Sequence, residues 1–197
     1  MQLNLPPITL ALLLACVAAF FAQQSGNAQI VEQFALWPLG PRFHIWQLLS
    51  HFLLHADVPH LIFNMLGLVT FGRDLERLWG PQRYIQMILV STLLAGLAQE
   101  AMSYATDAHV PAIGASGGIF GLLLAYALTF PYRTILLIFP PIPMPAWVFA
   151  LIFGGIELFS GITGTMPGIA HFAHLGGMLG ALILMALWRL EDPRTQR

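Results

Sequence analysis

Six apolar runs divide the chain, at about 3–22, 58–72, 85–102, 115–130, 146–162 and 169–188, with breaks rich in Pro, Gly or charge between them. Runs of this kind predict membrane-spanning helices, a full span taking about 20 residues. Several are shorter, so their ends are expected to shift by a few residues. The second is followed by Arg73, Asp74, Glu76 and Arg77. Its helix is expected to continue until these charges meet the headgroups, where long arginine side chains can snorkel. The first run resembles a secretion signal, but Met1 to Pro7 contains no Lys or Arg, and Leu14 suits a lipoprotein cleavage site poorly. It is read as an uncleaved span. The first loop, about 23–57, contains Trp37 and Trp46 and is too apolar for a solvated linker, so it is expected to lie partly in the outer leaflet. Segment 134–145 carries Pro140, Pro141, Pro143 and Pro145 and is too broken to span, which assigns it to the inner interface.

Composition narrows the class. Hydrophobic residues make up 57% of the 197 positions and charged residues 9%, which excludes a water-soluble globule. The fold class expected is an all-α polytopic bundle of six spans forming a single domain over 1–197. With no lysine and a net charge of −1, a nucleic-acid-binding surface is excluded. Cys16 is the one cysteine, which rules out an intramolecular disulfide framework and a multi-cysteine metal site. The arginines set the expected orientation. Arg73, Arg77, Arg83, Arg133, Arg189, Arg194 and Arg197 all fall on one side and only Arg42 on the other, so both termini and the tail 189–197 are expected to be cytoplasmic. Trp79, Tyr84, Tyr132, Trp147 and Trp188 would then form a cytoplasmic aromatic belt.

Polar side chains inside spans are costly and point to function. Spans two, four and six enter from the outside, and each carries such residues near its start: His60 and Asn64, Ser116, His171 and His174. At 1.5 Å rise per residue they share one layer, about 5–10 Å below the outer surface. The glycines around them have a plain explanation as packing motifs, since Gly114/Gly118, Gly117/Gly121, Gly176/Gly180 and Gly177/Ala181 are small-xxx-small pairs. Helices packed so closely would also let a serine hydroxyl and an imidazole come within general-base distance. His60 and Asn64, four apart, share a helix face. They either hydrogen-bond between helices or, with the Ser116 amide, supply three donors to an oxyanion.

The combination resembles the rhomboid family of intramembrane serine proteases. The matching pieces are His60-Leu61-Ile62-Phe63-Asn64, Gly114-Ala115-Ser116-Gly117 and Ala173-His174-Leu175-Gly176-Gly177, in the family's order on spans two, four and six. The resemblance implies that Ser116 is the nucleophile, that His174 is the general base, and that His60, Asn64 and the Ser116 amide form the oxyanion hole. It implies that Phe120 packs on the catalytic imidazole. Two positions depart from the family pattern: Trp46-Gln47 replaces a common Trp-Arg, and Ala181 stands where a second glycine is common. The first puts that arginine's loop-stabilising role in doubt, while Ala181 still permits close packing.

A serine hydrolase often adds a carboxylate that orients its histidine. None is expected here. Asp57, before Val58-Pro59, reads as a helix N-cap, Asp107 lies in an outer loop, and Glu157 lies in the outer half of span five without an assigned role. A carboxylate beside an imidazole in lipid is also expensive. The expectation is a Ser–His dyad oriented by Phe120. His171 faces the same way as His174 and is expected to hydrogen-bond a loop, with contact to substrate or water as the alternative. His51 and His55 are expected to brace the first loop rather than hold a metal, and no cofactor is expected. Glu100 and Gln99 are expected to be hydrated near the outer surface.

The function implied is cleavage of other proteins' transmembrane segments near their extracytoplasmic end, with those segments and the bilayer as partners. A compact domain of this kind suggests a bacterial inner membrane. One rival is a catalytically inactive rhomboid-like protein that binds and escorts membrane proteins, although such relatives generally lack the Ser or His. Another is a small transporter with a His/Glu proton relay, which would call for an internal repeat that is not apparent.

Overall fold

The structure, a computed structural model, describes residues 4–26, 28–137 and 140–191. Each of the six apolar runs falls largely on a helix, while residue 3 of the first run and Arg194 and Arg197 of the tail lie outside the described residues. Helix α1 is Pro7–Gln24, α2 Ala28–Phe34 and α3 Gln47–Ser50; a 3₁₀ turn, His51–Leu53, precedes α4, Val58–Gly67. A π-helical turn, Leu68–Gly72, leads into α5, Arg73–Thr106, followed by α6, Ser116–Thr129. Helix α7 is Ala146–Thr163 and α8 His171–Glu191. Pro7–Gln24, Val58–Thr106, Ala146–Thr163 and His171–Arg189 are long and apolar enough to cross a membrane, and Ser116–Thr129 is a shorter apolar helix. The architecture is an all-α membrane bundle.

Runs two and three share the stretch Val58–Thr106, which breaks at Gly80, φ 76°, ahead of Pro81. The chain folds back there. A Cβ on Gly72 would meet the Tyr84 hydroxyl, twelve residues on, which a straight helix would hold about 18 Å away. Tyr84 is therefore fully buried against Thr9 rather than part of an interfacial belt. At the same end, buried Glu76 closes the start of α1, accepting from the amides of Ile8 at 2.9 Å and Thr9 at 2.7 Å and from the Thr9 hydroxyl at 2.8 Å. These amides open a helix and have no intrahelical partner, so a carboxylate is well matched to them. The two ends of segment 134–145 form regular structure despite its prolines: β1, Thr134–Leu136, pairs antiparallel with β2, Pro143–Pro145. Arg133 ties this hairpin to Asp74 at 2.5 Å.

At the other end, the first loop folds around Gln47, which is fully buried. Its Oε1 accepts from the amides of Trp37 and His44, and its Nε2 donates to the carbonyls of Gln33 and Arg42. A neutral amide thus does the loop bracing that the Trp-Gln departure put in doubt. Glu100 is also buried rather than hydrated, accepting from the Leu39 amide at 2.9 Å. His51 binds the Gln47 carbonyl through Nδ1 at 2.7 Å, and its own carbonyl accepts from the Gly114 amide at 2.9 Å. The backbone of His55 pairs with the side chain of Gln23. Leu39 and Ile45, 62% and 70% exposed, give the loop the apolar surface its composition implied.

Small residues let the central helices meet. A Cβ on Gly177 would fall 1.8 Å from the Gly117 carbonyl oxygen, so α6 and α8 touch backbone to backbone. Gly176 and Gly180 seat α8 against the Leu94 and Val90 carbonyls of α5, and Gly121 takes up Ser91. Gly177→Ala is expected to cost about 3 kcal/mol through overpacking, read as a lower melting temperature in detergent. Gly155→Ala, where a Cβ meets nothing within 4 Å, should cause no loss.

Burial pushes His55 down to about 4, helped by neighbouring His60, and lowers His51 against the opposing bond to the Gln47 carbonyl. Both fold as neutral imidazoles, whereas the unfolded loop takes up protons below about pH 6.5. Stability is therefore fully present above that pH and falls as pH drops toward about 4, His55 alone accounting for about 3 kcal/mol. Melting followed across this range should show the fall, and His55→Gln should flatten it.

Candidate active site

The N-termini of α4, α6 and α8 converge at the first-loop end. Asp57 caps α4, its Oδ1 accepting from the His60 amide at 2.7 Å, with Pro59 in the first turn. His60 Nδ1 accepts from the Ala56 amide at 3.3 Å, which leaves the ring hydrogen on Nε2. That nitrogen lies over Gly114, where a Cβ would stand 2.8 Å from it and 3.6 Å from Ser116 Oγ. Gly114 also has φ 128°, so both space and backbone call for glycine. Asn64 lies one turn further along the same face, buried, its Nδ2 donating to the His60 carbonyl at 2.9 Å and retaining a second amide hydrogen.

Ser116 is the first residue of α6, so its amide has no intrahelical partner. Its Oγ lies 2.7 Å from His174 Nε2, in the first turn of α8. Phe120 stacks on the His174 ring with centroids 4.3 Å apart and planes 7° from parallel. The Gly117–Gly177 contact is what brings the two helix starts this close. Ser116, His174, His60 and Phe120 thus form one cluster, with Asn64 a turn away on the His60 face.

His171 does not touch Ser116. Its Nδ1 lies 2.5 Å from Glu157 Oε2, and its Nε2 lies 3.2 Å from the carbonyl oxygens of both Thr165 and Met166. The loop-bonding expectation for His171 matches this geometry. Met166 adopts a left-handed backbone, φ 58°, between Gly164 and Gly168, also at positive φ. A cleft of about 200 Å³ beside this segment is lined by Gln99, Ser160, Thr165 and His171 among others.

Glu157 corrects the expectation that no carboxylate fits beside the histidine. Its Oε2 lies 2.9 Å from His174 Nδ1, although off the line of the N–H bond. The expected cost was that of a carboxylate beside one imidazole; here two imidazole edges face it. The signal was present in depth. Glu157 is six residues from the end of α7 and His174 three from the start of α8, so counting along both helices brings them within about one turn of each other in depth.

Hydroxyl, imidazole and a row of N–H donors at a helix start are the parts needed for nucleophilic attack on a carbonyl with stabilisation of the resulting oxyanion. Comparison with known protein families matches residues 42–190 to the Rhomboid domain. That match spans α3 to α8 and takes in all three short motifs, so the chain belongs to the rhomboid family.

Proposed function

We propose that this protein is an intramembrane serine endopeptidase that cuts transmembrane segments of other proteins near their extracytoplasmic end. The observation that carries this reading is the 2.7 Å contact between Ser116 Oγ and His174 Nε2. In the proposed reaction the Ser116 proton passes to His174 Nε2 as Oγ bonds to the scissile carbonyl carbon. The carbonyl electron pair moves onto oxygen, where the Ser116 amide, His60 Nε2–H and the spare Asn64 amide hydrogen receive it. The C–N bond then breaks as His174 returns its proton to the leaving nitrogen. Water repeats the sequence on the acyl-enzyme, releasing the new carboxyl terminus and restoring Ser116.

Family membership and the bundle support action within the bilayer. The arginine distribution supports an orientation with the N-terminus in the cytoplasm and the site near the far face. A stable substrate helix hides its carbonyls, which favours segments with small residues at the cut and helix-breaking residues beyond it.

Ser116→Ala should abolish cleavage of single-pass substrates in liposomes while leaving the melting temperature unchanged, because small residues already surround the position. A fluorophosphonate should label the wild type at Ser116, with labelling lost in His174→Ala. Retained proteolysis in Ser116→Ala would overturn the nucleophile assignment. Asn64→Ala should lower kcat by about 10²- to 10³-fold with KM little changed, measured by steady-state kinetics.

A further inference from the structure

His174 has two ring nitrogens, and the reaction above uses one of them. If Nε2 is to accept the Ser116 proton, the ring hydrogen must sit on Nδ1. Stacking on Phe120 fixes the plane of the ring but does not select the nitrogen that faces the serine. Nδ1 is buried, and among the described residues it has no aligned hydrogen-bond partner. The acceptor beside it is Glu157 Oε2, at 2.9 Å.

Glu157 is held by construction rather than by chance of rotamer. It is buried on α7 and faces α8, where His171 and His174, three apart, present Nδ1 edges to the same oxygen at 2.5 Å and 2.9 Å. Helices α7 and α8 are close here, since a Cβ on Gly161 would stand 3.0 Å from Phe172 and 3.3 Å from the His171 Cβ. His171 Nε2 faces two carbonyl oxygens, which can only accept, so it carries a hydrogen. One more proton must lie between His171 Nδ1 and Glu157 Oε2, because two lone pairs would repel at 2.5 Å. Whichever atom holds that proton, the pair is neutral overall, and Oε2 keeps a lone pair for His174. A carboxylate is thereby kept in an apolar bundle at modest cost.

We propose that Glu157 is a positioning residue: it fixes His174 in the tautomer with hydrogen on Nδ1 and accepts from that hydrogen when Nε2 takes the Ser116 proton, while His171 holds the carboxyl group in place. This rests on the serine endopeptidase reading. The 2.9 Å approach lies off the line of a straight hydrogen bond, and hydrogen bonds in substrate-free sites commonly tighten on binding.

The test uses the full chain in liposomes with a fluorogenic transmembrane peptide. Wild type, Ser116→Ala, Glu157→Gln and Glu157→Asp are compared for kcat, KM, melting temperature and the rate and extent of fluorophosphonate labelling at Ser116. Ser116→Ala tests the underlying reading and should be inactive. Glu157→Gln keeps the shape but puts an amide NH2 in place of one carboxyl oxygen, so both imidazole edges can no longer meet the same acceptor; kcat and the labelling rate should both fall about 10²-fold, with KM within about twofold and the same final extent of labelling. Glu157→Asp, with its carboxylate drawn back by one methylene, should recover about a tenth of wild-type kcat. Inactive Ser116→Ala beside a Glu157→Gln whose kcat is within threefold of wild type would overturn the proposal and spare the reading. A raised KM at unchanged kcat would also overturn it, as would a loss of activity that merely follows a lower final extent of labelling. Should Glu157→Gln fail to fold, Glu157→Asp decides alone: kcat within threefold of wild type overturns the positioning role, and a larger fall at full labelling supports it.

Discussion

Two glycines, Gly117 and Gly177, allow the backbones of α6 and α8 to touch, and the geometry of the candidate site depends on that contact. In lipid there is little hydrophobic force between helices, so close van der Waals packing must hold them. A side chain at either glycine would wedge apart the two helix starts that carry Ser116 and His174. Gly176 and Gly180 repeat the device toward α5. The glycines first read as packing motifs are just that, and the chemistry is built on top of the packing. The structural and chemical readings of those motifs were never alternatives.

Much of this was legible because membrane burial makes the sequence blunt. Apolar runs mark the helices, and polar residues within them single out Ser116, His174, His60 and Asn64 as a layer. Local signals such as Asp57 before Val58-Pro59 were also reliable, since an N-cap needs only its own turn. What could not be read were partnerships between distant segments. Tyr84 looked like an interfacial aromatic until the reversal at Gly80 brought it under Gly72 and Thr9. Gln47 looked like a lost arginine, yet its amide meets four partners that only the folded loop assembles. Glu157 has no role assignable from its own span because its partners lie on another helix.

The carboxylates show how such a fold carries charge. Glu76 sits on the open amides of α1, Glu100 on the Leu39 amide, and Glu157 between two imidazoles, while Asp74 meets Arg133. Each joins elements far apart in the chain. An acid stranded in hydrocarbon would cost several kcal/mol, so each of these contacts is specified as much by the penalty for missing it as by its own strength.

Helix α6 has 14 residues, a length of about 21 Å, against a hydrocarbon thickness of about 30 Å. It cannot reach both faces, and Ser116 stands at one of its ends. The position of the serine within the bundle is therefore set by the length of α6, and its distance from the membrane surface by the thickness of the surrounding lipid. Thicker bilayers lengthen the column that water must descend, and thinner ones shorten it, so lipid chain length becomes a throttle on solvent supply.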